Sequence, residues 1–212
     1  MICFDYINTY IRNTLKKSEG ILQELEKFAT EHHVPVIHPE VAALLKVVGL
    51  TLKPNRILEV GTAIGYSSIL LSTVLEPGGK IDTIDRYELM IERARANIKR
   101  AGLQDVINII TGDALEILKC LDKQYDMIFL DAAKGQYREF LPECLRMLRT
   151  SGLLVSDNVL YKGMIANDDL VIRRKKTIVK RMRSYLNDIC SIDELETSII
   201  PIGDGVAISY KK

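Results

Sequence analysis

The chain has 212 residues, enough for a single α/β domain with a full hydrophobic core. Hydrophobic residues make up 47% and charged residues 27%, and the formal net charge of +1 gives the whole molecule no field that favours nucleic acid or membranes. Because no stretch approaches the roughly 18 apolar residues that cross a bilayer, and the N-terminus does not read as an export signal, we expect a cytoplasmic protein without a membrane partner.

The N-terminal quarter of the chain is predicted to be helical. Residues 3–31 carry an apolar stripe at helical spacing, which Gly20 divides into two helices. A third helix is predicted over residues 40–50, after a loop that contains prolines. We therefore expect a single domain over residues 1–212, in which an N-terminal helical segment (1–52) precedes a core (53–212).

In the core, short apolar strands alternate with helices, which predicts a parallel sheet covered on both faces. A tight turn at residues 203–205 joins the last two strands and requires an antiparallel hairpin. The predicted fold is therefore α/β, a doubly wound, Rossmann-like sheet of seven strands with helices on both faces, mostly parallel with one antiparallel strand near the edge. The predicted strands are 56–60, 80–84, 106–111, 125–130, 152–156, 196–202 and 206–210, and the predicted helices are 67–74, 87–101, 114–121, 136–148 and 168–189.

Three successive strand ends carry groups that suit an adenosine ligand, and such sheets bind ligands at these ends. Gly61 and Gly65 follow the first strand at a spacing that differs from the dinucleotide fingerprint, and Glu59 suits a cationic ligand better than a phosphate. Asp85, after the second strand, can accept both ribose hydroxyls of a nucleoside. Asp113, after the third, can accept an adenine amino group, although it fits a helix N-cap equally well.

Residues 58–68, with Asp85 and Asp113, resemble motif I and the nucleoside contacts of class I methyltransferases. Essentially the whole chain is similar to the small metal-dependent O-methyltransferases that include the catechol and caffeoyl-CoA enzymes. The resemblance implies S-adenosyl-L-methionine (SAM) as the cofactor, with Glu59 and Gly61 near its methionine portion. The cofactor-binding residues that it implies are His38, Glu59, Gly61, Ser67, Asp85, Asp113, Ala114 and Asp131.

The next two strand ends carry oxygen donors. The fourth strand ends at Asp131 and the fifth at Asp157 and Asn158, so a parallel sheet can bring the three side chains together. Two carboxylates and an amide oxygen suit Mg²⁺ or another divalent cation, whereas the set lacks the Cys and His that zinc prefers. Taken alone, these residues also fit a helix cap and a turn. The resemblance implies that they are the metal ligands, and it implies Lys134 as general base, so Lys134 and Asp131 are the predicted catalytic residues.

The acceptor is indicated by two further features. Residues 173–183 carry seven basic residues and no acidic one, which predicts either a solvated helix face or a phosphate-binding surface on helix 168–189. Residues 131–137 and 157–164 resemble a bacterial branch that methylates 5-hydroxyuridine at the wobble position of tRNA to 5-methoxyuridine.

We therefore expect the tRNA anticodon loop as partner and substrate, held through helix 168–189. The alternative acceptor is a small catechol or phenylpropanoid. A third hypothesis is a non-catalytic RNA- or nucleotide-binding domain, or an NAD enzyme, against which the set of Asp131, Asp157 and Asn158 argues. The resemblance also implies a homodimer.

Overall fold

The computed structural model describes residues 2–212 and contains a seven-stranded sheet with helices on both faces. The strands are β1 (Arg56–Val60), β2 (Lys80–Asp85), β3 (Ile107–Thr111), β4 (Tyr125–Leu130), β5 (Leu148–Asp157), β6 (Leu195–Ile200) and β7 (Val206–Lys211). The helices are α1 (Asp5–Thr14), α2 (Gly20–Glu31), α3 (Pro39–Leu52), α4 (Tyr66–Ser72), α5 (Glu88–Arg100), α6 (Ala114–Cys120), α7 (Tyr137–Met147) and α8 (Lys176–Ser191). None of the helices in residues 2–212 is long and apolar enough to cross a membrane.

The strand order is β3-β2-β1-β4-β5-β7-β6. Strands β1 to β5 pair in parallel, whereas β7 is antiparallel to both of its neighbours, β5 and β6. The predicted mixed sheet is confirmed, and the reversed strand lies one position inside the edge. Because β1 to β5 are parallel, their carboxyl ends lie at one edge of the sheet. Asp85, Asp131 and Asp157 lie at this edge.

Alternate residues of each strand face opposite sides of the sheet and enter two buried clusters. Leu58 and Ile128 face the cluster covered by α6, α7 and α8, whereas Ile57 and Phe129 face the other. The second cluster also contains buried residues of α2 and α3, which are Leu25, Ala29, Val41, Ala42 and Leu45. Helices α2 and α3 therefore share a hydrophobic core with the sheet.

The prediction of one long basic helix over residues 168–189 is wrong. Helix α8 covers Lys176–Ser191, and the preceding chain forms two short 3-10 helices, Asp168–Leu170 and Arg173–Lys175. Between them, Val171 and Ile172 have ψ angles of 106° and 142°, which are extended and interrupt the helical hydrogen bonds. The basic run is consequently divided between a short turn and the first half of α8.

Candidate active site

The carboxyl ends of β1, β2, β4 and β5 open into one cavity of about 800 Å³. This volume suits a nucleotide-sized ligand together with part of an acceptor. Residues 34–38 before α3 and three residues from the C-terminal half, Tyr161, Ile178 and Arg181, also line it. The predicted site residues that line the cavity are His38, Gly61, Ser67, Asp85, Asp131, Lys134, Asp157 and Asn158.

Gly61 lets the loop after β1 pass directly against the end of β4. Its φ of 112° is a backbone conformation that residues other than glycine rarely adopt. A Cβ atom at this position would lie 2.8 Å from Ala132 Cβ and 2.9 Å from the Asp131 carbonyl oxygen. The Gly61 amide donates to the Ile84 carbonyl at 2.9 Å, which fixes the loop between the ends of β1 and β2. A ligand at this edge can therefore approach the backbone closely.

Glu59 is fully buried and leaves one carboxylate oxygen without a partner. Its Oε2 accepts hydrogen bonds from the hydroxyls of Ser68 and Thr83, the latter at 2.6 Å, whereas Oε1 has none within residues 2–212. Burial raises the pKa of Glu59 because it disfavours the charged form. An unpaired buried acceptor destabilises the protein, and a ligand ammonium group would satisfy it. Glu59 is not among the residues that line the cavity, so its contact with the methionine portion of SAM stays a prediction.

Asp85 is held at the mouth of the cavity by the backbone. Its Oδ2 accepts from the Ala63 amide at 2.9 Å, and its Oδ1 accepts from the amides of Arg86 at 2.7 Å and Tyr87 at 3.0 Å. A carboxylate has about four acceptor positions, so this one keeps capacity for a ribose hydroxyl.

Asp113 and Ala114 are not among the cavity-lining residues. Asp113 is the N-cap of α6, where its Oδ1 accepts from the Leu115 amide at 3.0 Å and the Glu116 amide at 3.5 Å. Its Oδ2 also lies 3.4 Å from Arg86 Nη1. The structure thus realises the N-cap that the sequence left open, and the adenine contact of Asp113 and Ala114 stays a prediction.

The structure brings Asp131, Asp157, Asn158 and Lys134 together at the ends of β4 and β5. Asn158 Nδ2 donates to Asp131 Oδ1 at 3.2 Å, and the Asn158 amide donates to Asp157 Oδ1 at 2.7 Å. Lys134 Nζ donates to Asn158 Oδ1 at 2.7 Å. Residues 24 and 27 positions apart in sequence thus meet because β4 and β5 are parallel neighbours.

The electrostatics of this cluster suit a divalent cation. Burial, followed by the proximity of Asp157, raises the pKa of Asp131, and burial raises the pKa of Asp157 to about 6. Both shifts mean that the negative charges are incompletely compensated by the protein, which a bound cation would correct. No group of three His, Cys, Asp or Glu residues able to hold a metal occurs in residues 2–212, so the third protein donor would be the Asn158 amide oxygen. This hard oxygen set fits Mg²⁺.

Sequence reasoning missed an ion pair that connects α1 to the cavity. Arg12 of α1 donates through Nε and Nη2 to the two carboxylate oxygens of Glu40, at 2.8 Å each, and its Nη2 lies 3.3 Å from His38 Nδ1. Glu40 is only 4% exposed. The available signal was an acidic residue at the buried start of α3, but no local pattern identifies a partner 28 positions away.

Tyr161, which lines the cavity, has a distinct setting. Two ammonium groups lie near its ring, with Lys134 Nζ 5.7 Å and Lys175 Nζ 5.5 Å from the ring centroid. Lys175 belongs to the short turn before α8, where it forms a cation–π contact with Tyr161, a residue that lines the cavity.

Comparisons with known proteins show the family to which the chain belongs. Residues 12–212 match the family described as O-methyltransferase. The chain is 31% identical over 172 residues to a catechol O-methyltransferase of Niastella koreensis, with 78% of each chain covered. It superimposes on the crystal structure of a candidate caffeoyl-CoA O-methyltransferase from Staphylococcus aureus with a TM-score of 0.91 and 33% identity, covering 98% of this chain and 100% of the other.

A third relative carries a ligand. The O-methyltransferase of Bacillus cereus in complex with SAH has a TM-score of 0.86 and 25% identity, covering 98% of this chain and 97% of that one. The family match extends from α1 to the last residue and therefore includes every residue of the cavity. The chain belongs to the O-methyltransferase family and is a SAM-dependent O-methyltransferase.

Proposed function

We propose that the protein methylates one oxygen of a vicinal oxygen pair on its acceptor, with a divalent cation such as Mg²⁺ held by Asp131, Asp157 and Asn158. The observation that carries this proposal is the convergence of these three side chains and Lys134 in the cavity that Gly61 and Asp85 also line. When bound, SAM supplies an electrophilic methyl group, and the cation lowers the pKa of an acceptor hydroxyl.

We propose Lys134 as the group that takes up the hydroxyl proton. Its Nζ is 2.7 Å from Asn158 Oδ1, so it is held at the same end of the cavity as the proposed metal ligands. A neutral lysine amine can keep this hydrogen bond as a donor while its lone pair accepts a proton. The remaining side chains contribute by holding the two reactants close and aligned.

The names of the relatives favour a small aromatic acceptor. The Niastella koreensis protein is named for catechol, and the Staphylococcus aureus structure for caffeoyl-CoA. A small catechol or phenylpropanoid is therefore the acceptor class that the comparisons support. Such a molecule presents two adjacent oxygens that can share one cation.

A second candidate acceptor is 5-hydroxyuridine in the anticodon loop of tRNA, and the charge at the cavity favours it. Arg181 lines the cavity, and Lys175 lies over the ring of Tyr161. Arg173 and Arg174 are exposed on the adjoining turn. Cations in this arrangement suit backbone phosphates, and Tyr161 offers a ring on which a base can stack. The 5-hydroxyl and 4-carbonyl of the base are vicinal oxygens, so the same metal chemistry applies.

Methyl-transfer assays with labelled SAM test both acceptors. Transfer to caffeate and to tRNA containing 5-hydroxyuridine is measured with and without EDTA, and over a series of salt concentrations. We expect EDTA to abolish transfer, and transfer that persists in EDTA would overturn the metal proposal. An RNA acceptor should respond steeply to salt and a small catechol weakly, which separates the candidates. The homodimer is likewise a proposal, which sedimentation equilibrium tests.

A further inference from the structure

We propose that the turn between β6 and β7, residues 203–205, positions the loop that carries Asn158, and that Asp204 is its positioning residue. The inference rests on the proposed function insofar as Asn158 is taken as a metal ligand. Asp204 is not among the residues that line the cavity, and its carboxylate contacts the loop through the Lys162 amide.

The loop after β5 has a backbone that its own sequence does not favour. Asn158, Tyr161 and Lys162 have φ angles of 61°, 41° and 57°, the left-handed region that residues other than glycine rarely occupy. Three such residues within five positions persist only if surrounding structure fixes them. Two of the three, Asn158 and Tyr161, line the cavity.

The turn supplies the contacts that fix this loop. The Val159 amide donates to the Gly205 carbonyl at 2.9 Å, and the Leu160 amide donates to the Asp204 carbonyl at 3.0 Å. The Lys162 amide donates to Asp204 Oδ1 at 2.5 Å. The Asp204 side chain therefore binds the residue next to Tyr161, in the part of the loop where the backbone is left-handed.

Close packing leaves the turn no freedom to move away. A Cβ atom at Gly205 would lie 2.8 Å from the Leu160 nitrogen, and one at Gly203 would lie 2.6 Å from Val41 Cγ2. Gly203 also lies against the His38 ring, since its Cβ would be 3.3 Å from His38 Cδ2. The turn is thus wedged between the start of α3 and the loop.

The turn is also anchored to the proposed metal ligands through the sheet. Val206, the first residue of β7, pairs with Asp157, the last residue of β5. Val206 contacts the end of β5 and Asp204 contacts the loop that follows β5, and these two residues are only two positions apart in the chain. A strand pair on one side and a carboxylate on the other define where Asn158 lies.

The proposal is tested with Asp204→Ala, which removes the acceptor of the Lys162 amide, and Asp204→Asn, which retains an oxygen acceptor. Asp193→Ala is the matched control, because Asp193 is exposed near the opposite end of β6. Mn²⁺ affinity is measured by titration calorimetry, and amide hydrogen exchange of residues 159–162 is measured in the metal-free protein. We expect Asp204→Ala to weaken Mn²⁺ binding and to accelerate exchange by about tenfold or more, with SAM affinity changed less than threefold.

Asp204→Asn and Asp193→Ala should behave like the wild type within about threefold. Unchanged exchange and Mn²⁺ affinity in Asp204→Ala, or equal defects in Asp204→Asn, would overturn the role of Asp204. If Asp204→Ala does not fold, the test is the hydrogen exchange of the Lys162 amide in the other two proteins. This amide must be protected from exchange both in the wild type and in Asp204→Asn, and fast exchange in either would overturn the role of Asp204. If the wild type binds no Mn²⁺, only the proposed metal site is refuted. The exchange measurement still tests whether the turn positions the loop, because it is made on the metal-free protein.

Discussion

Asp131 is the residue on which the proposed chemistry most directly depends. It directly follows β4 and accepts a hydrogen bond from Asn158, and burial together with the proximity of Asp157 raises its pKa. We predict that Asp131→Ala lowers kcat/KM by at least about 100-fold, equivalent to roughly 2.7 kcal/mol, because the cation loses a carboxylate ligand. Steady-state kinetics at saturating Mg²⁺ measure this.

Asp126 provides the matched control, since it lies near the opposite end of β4. It accepts from the amides of Asn55 and Arg56, at 2.8 Å each, and from Arg149 at 2.6 Å. Asp126→Asn should reduce stability by about 1–2 kcal/mol and leave kcat nearly unchanged. Retained turnover in Asp131→Ala, or an equal loss in Asp126→Asn, would count against the proposed site.

Lys134 can act as a base or only as a fixed positive charge, and one substitution distinguishes these roles. Lys134→Arg retains the charge and the hydrogen-bond donors, but a guanidinium does not release its proton near neutral pH. We predict a kcat at least about tenfold lower, with the SAM dissociation constant changed less than threefold. Single-turnover rates and SAM titrations measure the two quantities, and a fully active Lys134→Arg enzyme would limit Lys134 to electrostatic positioning.

At the scale of elements, Asp82 joins three parts of the sheet. This buried carboxylate of β2 accepts from Asn108 of β3 at 2.8 Å, from Lys123 at 2.8 Å and from Tyr125 of β4 at 2.9 Å. Burial by itself raises the pKa of Asp82, but these hydrogen bonds outweigh it and the net pKa is lowered. The charged form is therefore stabilised by folding.

A folded-state pKa below the unfolded value contributes stability that is present above about pH 4 and is lost as pH falls through the folded pKa. We predict that Asp82→Asn lowers the free energy of unfolding at pH 7 by about 2–3 kcal/mol and flattens its decline at acid pH. Urea unfolding from pH 3 to 7 measures both effects. Glu196→Gln is the control, because Glu196 is 80% exposed and lies 3.7 Å from Lys212. A pH profile of Asp82→Asn parallel to that of the wild type would refute the assignment.

Local patterns predicted most of these elements and few of the contacts between them. Six strands begin within one residue of their predicted positions because their apolar runs are short and well bounded, whereas β5 begins four residues early, at Leu148. There Leu148 pairs with Tyr125 across a register shift, and periodicity cannot reveal such a distant pairing. The prediction of one helix over residues 168–189 was wrong for a related reason. Its apolar spacing fits a helix, yet Val171 and Ile172 are extended in the folded chain.

In the candidate site too, some residues could be predicted from the sequence and others could not. Residues directly after strands, such as Asp85, Asp131 and Asp157, were predictable because parallel topology places all strand ends on one edge. The Arg12–Glu40 pair and the contacts of Asp204 were not, because they depend on how α1 and the last hairpin pack. The sequence thus predicts which side chains lie at the edge of the sheet better than it predicts the tertiary contacts that fix their positions.

At the scale of the whole molecule, the N-terminal helices and the sheet should unfold as one unit. Four large apolar side chains of residues 2–52, Leu25, Ile37, Val41 and Leu45, are at most 5% exposed and lie in the cluster that includes Phe129 of the sheet. Burial of each contributes roughly 1.5–3 kcal/mol, so together they provide about 6–12 kcal/mol. That is comparable to the entire stability of a typical domain, roughly 5–15 kcal/mol.

We therefore predict that a chain beginning at residue 53 does not fold, although it retains all seven strands and the proposed metal ligands. The full chain should show one calorimetric transition with equal calorimetric and van't Hoff enthalpies. The shortened chain should bind a hydrophobic dye and lack a cooperative transition in near-ultraviolet circular dichroism. Two separate transitions in the full chain, or a folded shortened chain, would mean that the sheet is stable without its N-terminal cover. In that case α1 to α3 would serve the cavity alone, through His38 and the Arg12–Glu40 pair.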